Sequence, residues 1–182
     1  MAWEVEIKAH VSDIEGLGAV LRKRYGAGEA FDKRDAYYEK ESDPGKTAFR
    51  LRNDGSPEAG CARDLVTLKH KAMRDGVEVN DEIEFSVSSP LAFDAFARSL
   101  GYRLALEKRK RGRVWEAGPD MHIELAEVSG LGGFVEIEAI VEQETGVEAA
   151  EARVRNMLAE LGIQDSDIEP RYYTSLLRSV QG

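Results

Sequence analysis

The sequence predicts an α+β fold: about eight antiparallel strands closed into a barrel, or tunnel, with a charged interior and helices packed outside. Two observations support this prediction. Strand-like segments with a two-residue alternation dominate the chain, and amphipathic helical segments lie between them. Six of the strand segments also carry two like charges at alternate positions. We expect residues 1–182 to form a single domain, since this length suits one core.

Five strands and two helices are predicted in the first half of the chain. The first helix follows a capping box at Ser12–Glu15, and the second begins at Ser89-Pro90 and ends at Gly101. Turn residues mark 43–45 and a hairpin at 74–76, whereas the Gly- and Pro-containing segment 54–62 predicts a loop. The predicted strands are 3–10, 31–40, 47–53, 65–71 and 77–87.

The second half predicts three further strands and two helices. Segments 104–111 and 113–117 form either two strands or one bent strand, followed by strands at 121–128 and 134–142. A helix begins near Gly146, and Pro170 predicts the start of a last short helix. The apolar face of the longer helix consists of Val147, Ala150, Val154, Leu158 and Leu161.

Composition excludes several classes of protein. With 42% hydrophobic residues the chain can build a core, and no apolar run reaches the length of a membrane helix. The single cysteine, Cys61, and the absence of a signal-peptide pattern at the first residues lead us to expect a cytoplasmic protein. Lys and Arg number 25 against 34 Asp and Glu, and this net charge of −9 argues against nucleic-acid binding.

The like-charged pairs lie on one face of each strand, because alternate strand residues point the same way. In a single strand such a pair is typical of a solvated sheet face. In six strands together they would repel one another, unless ligands lie between them. Carboxylate pairs suit divalent cations and basic pairs suit phosphate oxygens, so the pattern predicts a tunnel for a polyanion with its metal. The pairs are Glu4/Glu6, Arg50/Arg52, Lys69/Lys71, Glu82/Glu84, Lys108/Lys110 and Glu136/Glu138.

The succession of motifs resembles the CYTH superfamily, the triphosphate tunnel metalloenzymes. The first strand carries Glu4-Val-Glu-Ile-Lys8, and Gly130-Leu-Gly-Gly-Phe-Val-Glu-Ile-Glu138 is similar to a later family motif. The segment Glu169-Pro-Arg-Tyr-Tyr173 resembles the class IV adenylyl cyclases. The resemblance covers essentially the whole chain.

The resemblance implies Mg²⁺ or Mn²⁺ as cofactor and assigns two sets of site residues. The implied metal ligands are Glu4, Glu6, Glu136 and Glu138, with Glu124, Glu82 and Glu84 as further candidates. The implied phosphate-binding residues are Lys8, Arg50, Arg52, Lys69, Lys71, Lys110, Arg113 and Arg171.

Three positions depart from the family pattern. Asn80 and Gly112 stand where the family usually has arginine, and Ala126 stands where it usually has aspartate. A bulge at Gly112 would turn Arg113 inward, and Glu124 would replace the missing aspartate. These three departures also motivate an alternative function, a module that binds polyphosphate and does not convert it.

The function predicted is therefore metal-dependent chemistry on a small triphosphate: ATP, inorganic triphosphate or thiamine triphosphate. An adenylyl cyclase-like enzyme, forming cyclic AMP and pyrophosphate, is the first prediction, and an inorganic or thiamine triphosphatase is the alternative. We expect no membrane or nucleic-acid partner, although the basic run 108–113 alone would suit nucleic acid. The resemblance also implies a homodimer.

Overall fold

A computed structural model describes residues 3–58 and 60–181, without the side chains of Cys61, Lys71 and Gln181. Within these ranges the chain forms eight strands and four α-helices, and none of the helices is long and apolar enough to cross a membrane. The strands are β1 (Trp3–His10), β2 (Glu29–Lys40), β3 (Thr47–Ser56), β4 (Cys61–Arg74), β5 (Val77–Ser86), β6 (Tyr102–Gly118), β7 (Met121–Val128) and β8 (Gly132–Val141). The helices are α1 (Ile14–Tyr25), α2 (Pro90–Ser99), α3 (Val147–Glu160) and α4 (Tyr173–Gln181).

The strands close into an antiparallel barrel in the order β1-β5-β4-β3-β2-β6-β7-β8. Closure is made by β1 pairing with β8, where Glu6 faces Glu138 and Lys8 faces Glu136. The predicted fold class is confirmed. Because the ladder has no free edge, every strand presents one face to the interior and one to the outside.

The main apolar core lies outside the barrel, between the strands and the helices. Val5 and Ile7 of β1 and Ile137 of β8 are fully buried there with Val154 of α3. A second cluster under α2 joins Tyr38, Leu51, Val66 and Ala97. The alternation that buries these apolar residues outside necessarily points the charged pairs inward.

Helix α4 covers one end of the barrel. Phe134 of β8 packs with Tyr173 and Leu176 of α4, and Tyr37 of β2 packs with Leu177. The buried Glu39 carboxylate ties the same region together, since it accepts hydrogen bonds from the Gly45 amide (2.8 Å), Arg103 (2.5 Å) and Arg178 (3.1 Å).

Several predicted boundaries are wrong. Helix α1 is capped by Asp13, whose carboxylate accepts from the Gly16 amide at 2.8 Å, and not by a box at Ser12. The predicted loop 54–62 is mostly strand, because the β3–β4 ladder continues to the pair Ser56–Cys61. The last helix begins at Tyr173 rather than at Pro170. The Glu169 carboxylate accepts from the Arg171 amide (3.0 Å), which holds 169–171 as a turn.

The predicted bulge at Gly112 is also wrong. Strand β6 is a single strand, and its register passes through Gly112 without a shift, opposite Phe31 on one side and Ala126 on the other. Arg113 consequently points outward, where it donates to the carbonyls of Ala27 (3.0 Å) and Gly28 (2.8 Å).

Close packing at Gly112 predicts that Gly112→Ala destabilises the barrel. An added Cβ would lie 2.1 Å from the Leu125 carbonyl oxygen and 2.7 Å from the Ala126 Cα, both backbone atoms that cannot turn aside. We expect a loss of about 1–3 kcal/mol in the free energy of unfolding, measured by urea denaturation. A variant with an unchanged midpoint and slope would contradict this packing.

Candidate metal and phosphate site

The barrel interior forms a charged cavity of about 1420 Å³. Its lining includes acidic side chains from β1, β5, β7 and β8 and basic side chains from β2, β3, β4 and β6. The two signs are not mixed evenly: the carboxylates concentrate where β1 meets β8, and the cations concentrate on β2, β3 and β6.

Glu4, Glu6 and Glu138 form the acidic cluster of the cavity. Each offers one carboxylate oxygen, and the three oxygens lie within 4.8 Å of one another. Oxygen ligands lie about 2.0–2.6 Å from Mg²⁺ or Ca²⁺, so ligands on opposite sides of an ion are about 4–5 Å apart. The cluster therefore fits a hard divalent cation in ligand type and in spacing.

The acidic cluster is electrostatically unbalanced. Burial, reinforced by the carboxylates of Glu78 and Glu136, raises the pKa of Glu6 to about 8. Burial together with Glu4 and Glu6 raises the pKa of Glu138 well above its usual range. Burial and mutual repulsion therefore favour the protonated forms of Glu6 and Glu138 when no cation is bound, and a bound cation would favour their ionisation.

Glu4 differs because it has cationic and amide partners. Lys69 donates to its Oε1 at 2.7 Å, and the Asn80 amide donates to the same oxygen at 3.1 Å. Burial opposes ionisation, but the Lys69 ammonium outweighs it and lowers the pKa of Glu4 to about 2. Lys69 also pairs with Glu82, which joins β4 and β5 to the acidic cluster.

A second network surrounds Lys110. Its ammonium contacts both oxygens of Glu136 at 2.8 Å, and it pairs with Glu124. Tyr173 donates to Glu136 at 2.6 Å, and Lys33 pairs with the other oxygen of Glu124. Glu124 and Glu136 therefore hold cations in place, separately from the acidic cluster of Glu4, Glu6 and Glu138.

Asp35 organises the basic side of the cavity. Arg52 donates to its two oxygens at 2.7 and 3.0 Å, and Lys108 lies 3.1 Å away. Burial opposes ionisation of Asp35, but Arg52, Lys108 and Arg50 together hold the pKa of its carboxyl group well below the usual range. Burial lowers the pKa of Lys108 to about 8.

Comparison with known proteins places this geometry in a family. The model of the CYTH domain matches residues 2–173. The chain belongs to the CYTH family. None of the curated proteins compared with this CYTH chain is detectably similar to it.

Solved structures share the CYTH fold at low identity. The PH1819 protein of Pyrococcus horikoshii is 24% identical, with 97% of this chain and 98% of that one covered and a TM-score of 0.85. A candidate adenylate cyclase of Vibrio parahaemolyticus is 20% identical over 97% and 98%, with a TM-score of 0.76. HpAC1 of Hippeastrum, a candidate adenylyl cyclase described with a dominant triphosphatase activity, is 15% identical over 98% and 96%, with a TM-score of 0.62. At these identities the likeness shows the fold.

Most residues that the sequence assigned to the site face the interior of the CYTH barrel. Lys8 is buried and donates to Glu78 at 2.5 Å, and Arg50 donates to Thr67 at 3.0 Å. Glu84 lies on the same inner face but is partly exposed, and it accepts from Thr67 at 2.8 Å. The Lys71 side chain lies outside the described part of the structure.

Two predicted phosphate-binding residues lie away from the cavity lining. Arg113 is on the outer face of β6, where it also donates to Glu58 at 2.7 Å. The Arg171 side chain is 61% exposed and pairs with Glu169, to which His10 is also bonded at 3.2 Å. The Arg171 contacts brace the segment before α4, whereas Arg113 binds the loop after α1 and Glu58, so neither arginine is carried into the functional proposal.

The three departures from the CYTH pattern are filled by uncharged groups. Asn80 is completely buried, and its Oδ1 has no hydrogen-bond partner in the described ranges. Ala126 faces Phe134 and Gly112 on the inner side. At each of these three positions the barrel carries no charge where the family pattern has one.

The sequence patterns did not assign Lys33 or Glu78 to the site, although both line the cavity. Lys108 was recognised only as a member of a basic pair and Tyr173 only as part of a motif, whereas Lys33 and Glu78 alternate with other residue types. Lys33 shares its strand face with Asp35 and Tyr37, and this alternation was the signal available in the sequence.

Proposed function

We propose that this CYTH protein is a divalent-metal-dependent enzyme that acts on a triphosphate bound in the cavity. The observation that carries the proposal is the acidic cluster of Glu4, Glu6 and Glu138, which lines the same cavity as the cations on β2, β3 and β6. A divalent cation would neutralise the clustered carboxylates, and a phosphate chain bound to that cation would lie against the cations of the basic side.

Glu4, Glu6 and Glu138 would hold the cation. When bound, a divalent cation stabilises the charge that develops on phosphoryl oxygens during in-line displacement. Lys69 favours the ionised form of Glu4, whereas burial and neighbouring carboxylates favour the protonated forms of Glu6 and Glu138, which a bound cation would oppose. Metal affinity should therefore rise with pH.

The cations of the basic side would orient the phosphate chain. Lys108 and Arg52 are held on Asp35, and Lys110 is held on Glu136, so their side chains are fixed before substrate arrives. The Lys108 ammonium, paired with Asp35, retains N–H donors for phosphate oxygens. Such preorganised donors stabilise transition-state charge without reorganisation.

The nucleophile distinguishes the possible reactions. Attack by a ribose 3′-hydroxyl on the α-phosphorus of ATP gives cyclic AMP and pyrophosphate, and attack by water on the terminal phosphorus gives hydrolysis. The resemblance of 169–173 to class IV adenylyl cyclases supports the first reaction. The triphosphatase activity described for HpAC1 supports testing the second with equal care.

A product assay tests this proposal. Purified protein is given ATP, thiamine triphosphate or inorganic triphosphate, each with Mg²⁺, with Mn²⁺ and with EDTA, and all products are separated. We expect metal-dependent turnover of at least one substrate. Tight binding without turnover of any of the three would favour the binding module suggested by Asn80, Gly112 and Ala126, and absence of binding would refute the proposal.

Inorganic triphosphate should also raise the melting temperature of the protein. The basic side chains repel one another where ligand would lie, and a ligand that binds only the folded state stabilises it by about 2.7 kcal/mol at 100 times its Kd. For a chain of this length that corresponds to roughly 5–10 °C. Adenosine monophosphate at the same concentration is the control, and protection by the monophosphate but not by triphosphate would contradict a site built for phosphates.

A further inference from the structure

We propose that Lys33, which no sequence motif assigns, contacts a phosphate group of the bound polyphosphate together with Lys110. The two residues are called the lysine pair below. The inference rests on the proposed function and adds a binding residue to it. It also gives Glu124 a role different from metal ligation: it positions the lysine pair.

The lysine pair is built by the β2–β6 ladder. Lys33 and Lys110 face each other in register, and both side chains point into the cavity. Glu124 binds both ammoniums, with Oε1 on Lys33 and Oε2 on Lys110. Because one carboxylate spans the two ammoniums, their spacing matches two oxygens of a single tetrahedral or planar anion.

Phe31 supports both members of the lysine pair. The Lys33 ammonium lies 4.7 Å from the centre of the Phe31 ring, and the Lys110 ammonium lies 5.6 Å from it. Phe31 itself is buried, so it forms a fixed platform. A cation over an aromatic face loses part of its hydration but keeps its N–H donors, which suits it to an anionic ligand.

The donors of Lys33 are less committed than those of Lys110. Within residues 3–58 and 60–181, the ion pairs of Lys110 involve two carboxylates, Glu124 and Glu136, whereas Lys33 pairs with Glu124 alone. An ammonium has three donors, so Lys33 retains capacity for phosphate while Glu124 stays in place. The Lys33 side chain is 14% exposed, which makes it accessible from the cavity.

Gly112 explains why this position needs a cation from β2. Gly112 is the next inward position of β6 after Lys110, and backbone atoms of Leu125 and Ala126 leave no room there for a side chain. Strand β6 therefore carries no inward cation at the position that follows Lys110. The adjacent strand β2 supplies a second cation beside Lys110, which is Lys33.

Titration calorimetry with inorganic triphosphate tests the inference, with Mg²⁺ and separately with EDTA. We expect Lys33→Gln to weaken binding by about 10- to 100-fold, the effect of losing one charged hydrogen-bond donor, and Lys33→Arg to retain most of the affinity. Arg34→Gln is the matched control, because Arg34 is the next residue of β2, points outward and is 63% exposed. Its binding should equal that of the wild type.

Further variants keep the result interpretable. If Lys33→Gln does not fold, the double variant Lys33→Gln/Glu124→Gln removes both members of that ion pair, and the same loss of affinity is expected. Glu124→Gln alone should weaken triphosphate binding without metal, which a pure metal ligand would not do. A folded Lys33→Gln protein that binds as tightly as the wild type refutes this inference alone, whereas a wild type that binds no triphosphate refutes the proposed function.

Discussion

Replacing Glu6 or Glu138 by Gln is expected to lower turnover by about 10²–10³-fold while leaving the protein folded. Each substitution keeps the size of the side chain and removes one charged ligand from the acidic cluster, so the electrostatic stabilisation at the phosphoryl group is lost. Steady-state kinetics with saturating Mn²⁺ measures the effect. Glu127→Gln, an exposed position on the outer face of β7, is the control and should keep full activity.

The pH dependence of stability checks the same cluster without metal. The folded-state pKa of Glu6 is about 8 against an ordinary value of 4.5, so the stability that protonated Glu6 contributes is full below pH 4.5 and is lost as pH rises toward 8. Wild-type protein in EDTA should therefore melt at lower temperature at pH 8 than at pH 5. In Glu6→Gln this decline should be smaller, and an identical decline would contradict the charge imbalance.

Lys110→Met is expected to be the most destabilising of the substitutions considered. Lys110 is almost completely buried and neutralises Glu124 and Glu136, so its loss leaves two buried carboxylates short of a partner. Breaking a buried pair in this way costs about 3–5 kcal/mol. Urea denaturation at pH 7 measures it, and triphosphate binding should be lost as well.

The control for Lys110→Met is the neighbouring outward residue. Arg109 pairs with Asp32 at the surface, where solvent screens the ion pair, so Arg109→Met should destabilise the protein far less than Lys110→Met. Burial opposes ionisation of Glu124, but the Lys110 and Lys33 ammoniums hold the pKa of Glu124 well below 4.5. The ion pair with Lys110 therefore stabilises the wild type above pH 4.5, and this stabilisation is lost as pH falls through the lower folded-state pKa. The deficit of Lys110→Met should therefore shrink in acid, and equal deficits at pH 7 and in acid would contradict the assignment.

Strand alternation was sufficient to predict which residues face the interior. Glu4, Glu6 and Lys8 could be placed on one face from their spacing alone, and the closed barrel followed from the repeated like-charged pairs. The sequence did not predict which inward carboxylates form the acidic cluster and which are bound to lysine. Glu136 and Glu138 belong to one pair in the sequence, but Glu138 joins the acidic cluster because β8 closes on β1 with Glu6 facing Glu138, whereas Glu136 is bound to Lys110.

The misplaced residues were those whose orientation depends on tertiary contacts. Arg113 was expected to turn inward at a bulge, but the close approach of β7 at Gly112 keeps the register regular and leaves Arg113 outside. Arg171 precedes α4, and its partner Glu169 is fixed by a hydrogen bond from its amide to the Lys8 carbonyl (3.0 Å). Neither contact has a local sequence signal. Lys33 was missed for the opposite reason, since its neighbours on the strand face carry different chemistry.

Anomalous diffraction from crystals grown with Mn²⁺ and inorganic triphosphate would locate the metal ion in the cavity. We expect a manganese peak within coordinating distance of carboxylate oxygens from Glu4, Glu6 and Glu138, with triphosphate density extending toward Lys110 and Arg52. A manganese peak between Glu124 and Glu136, with the Glu4, Glu6 and Glu138 carboxylates uncoordinated, would contradict it.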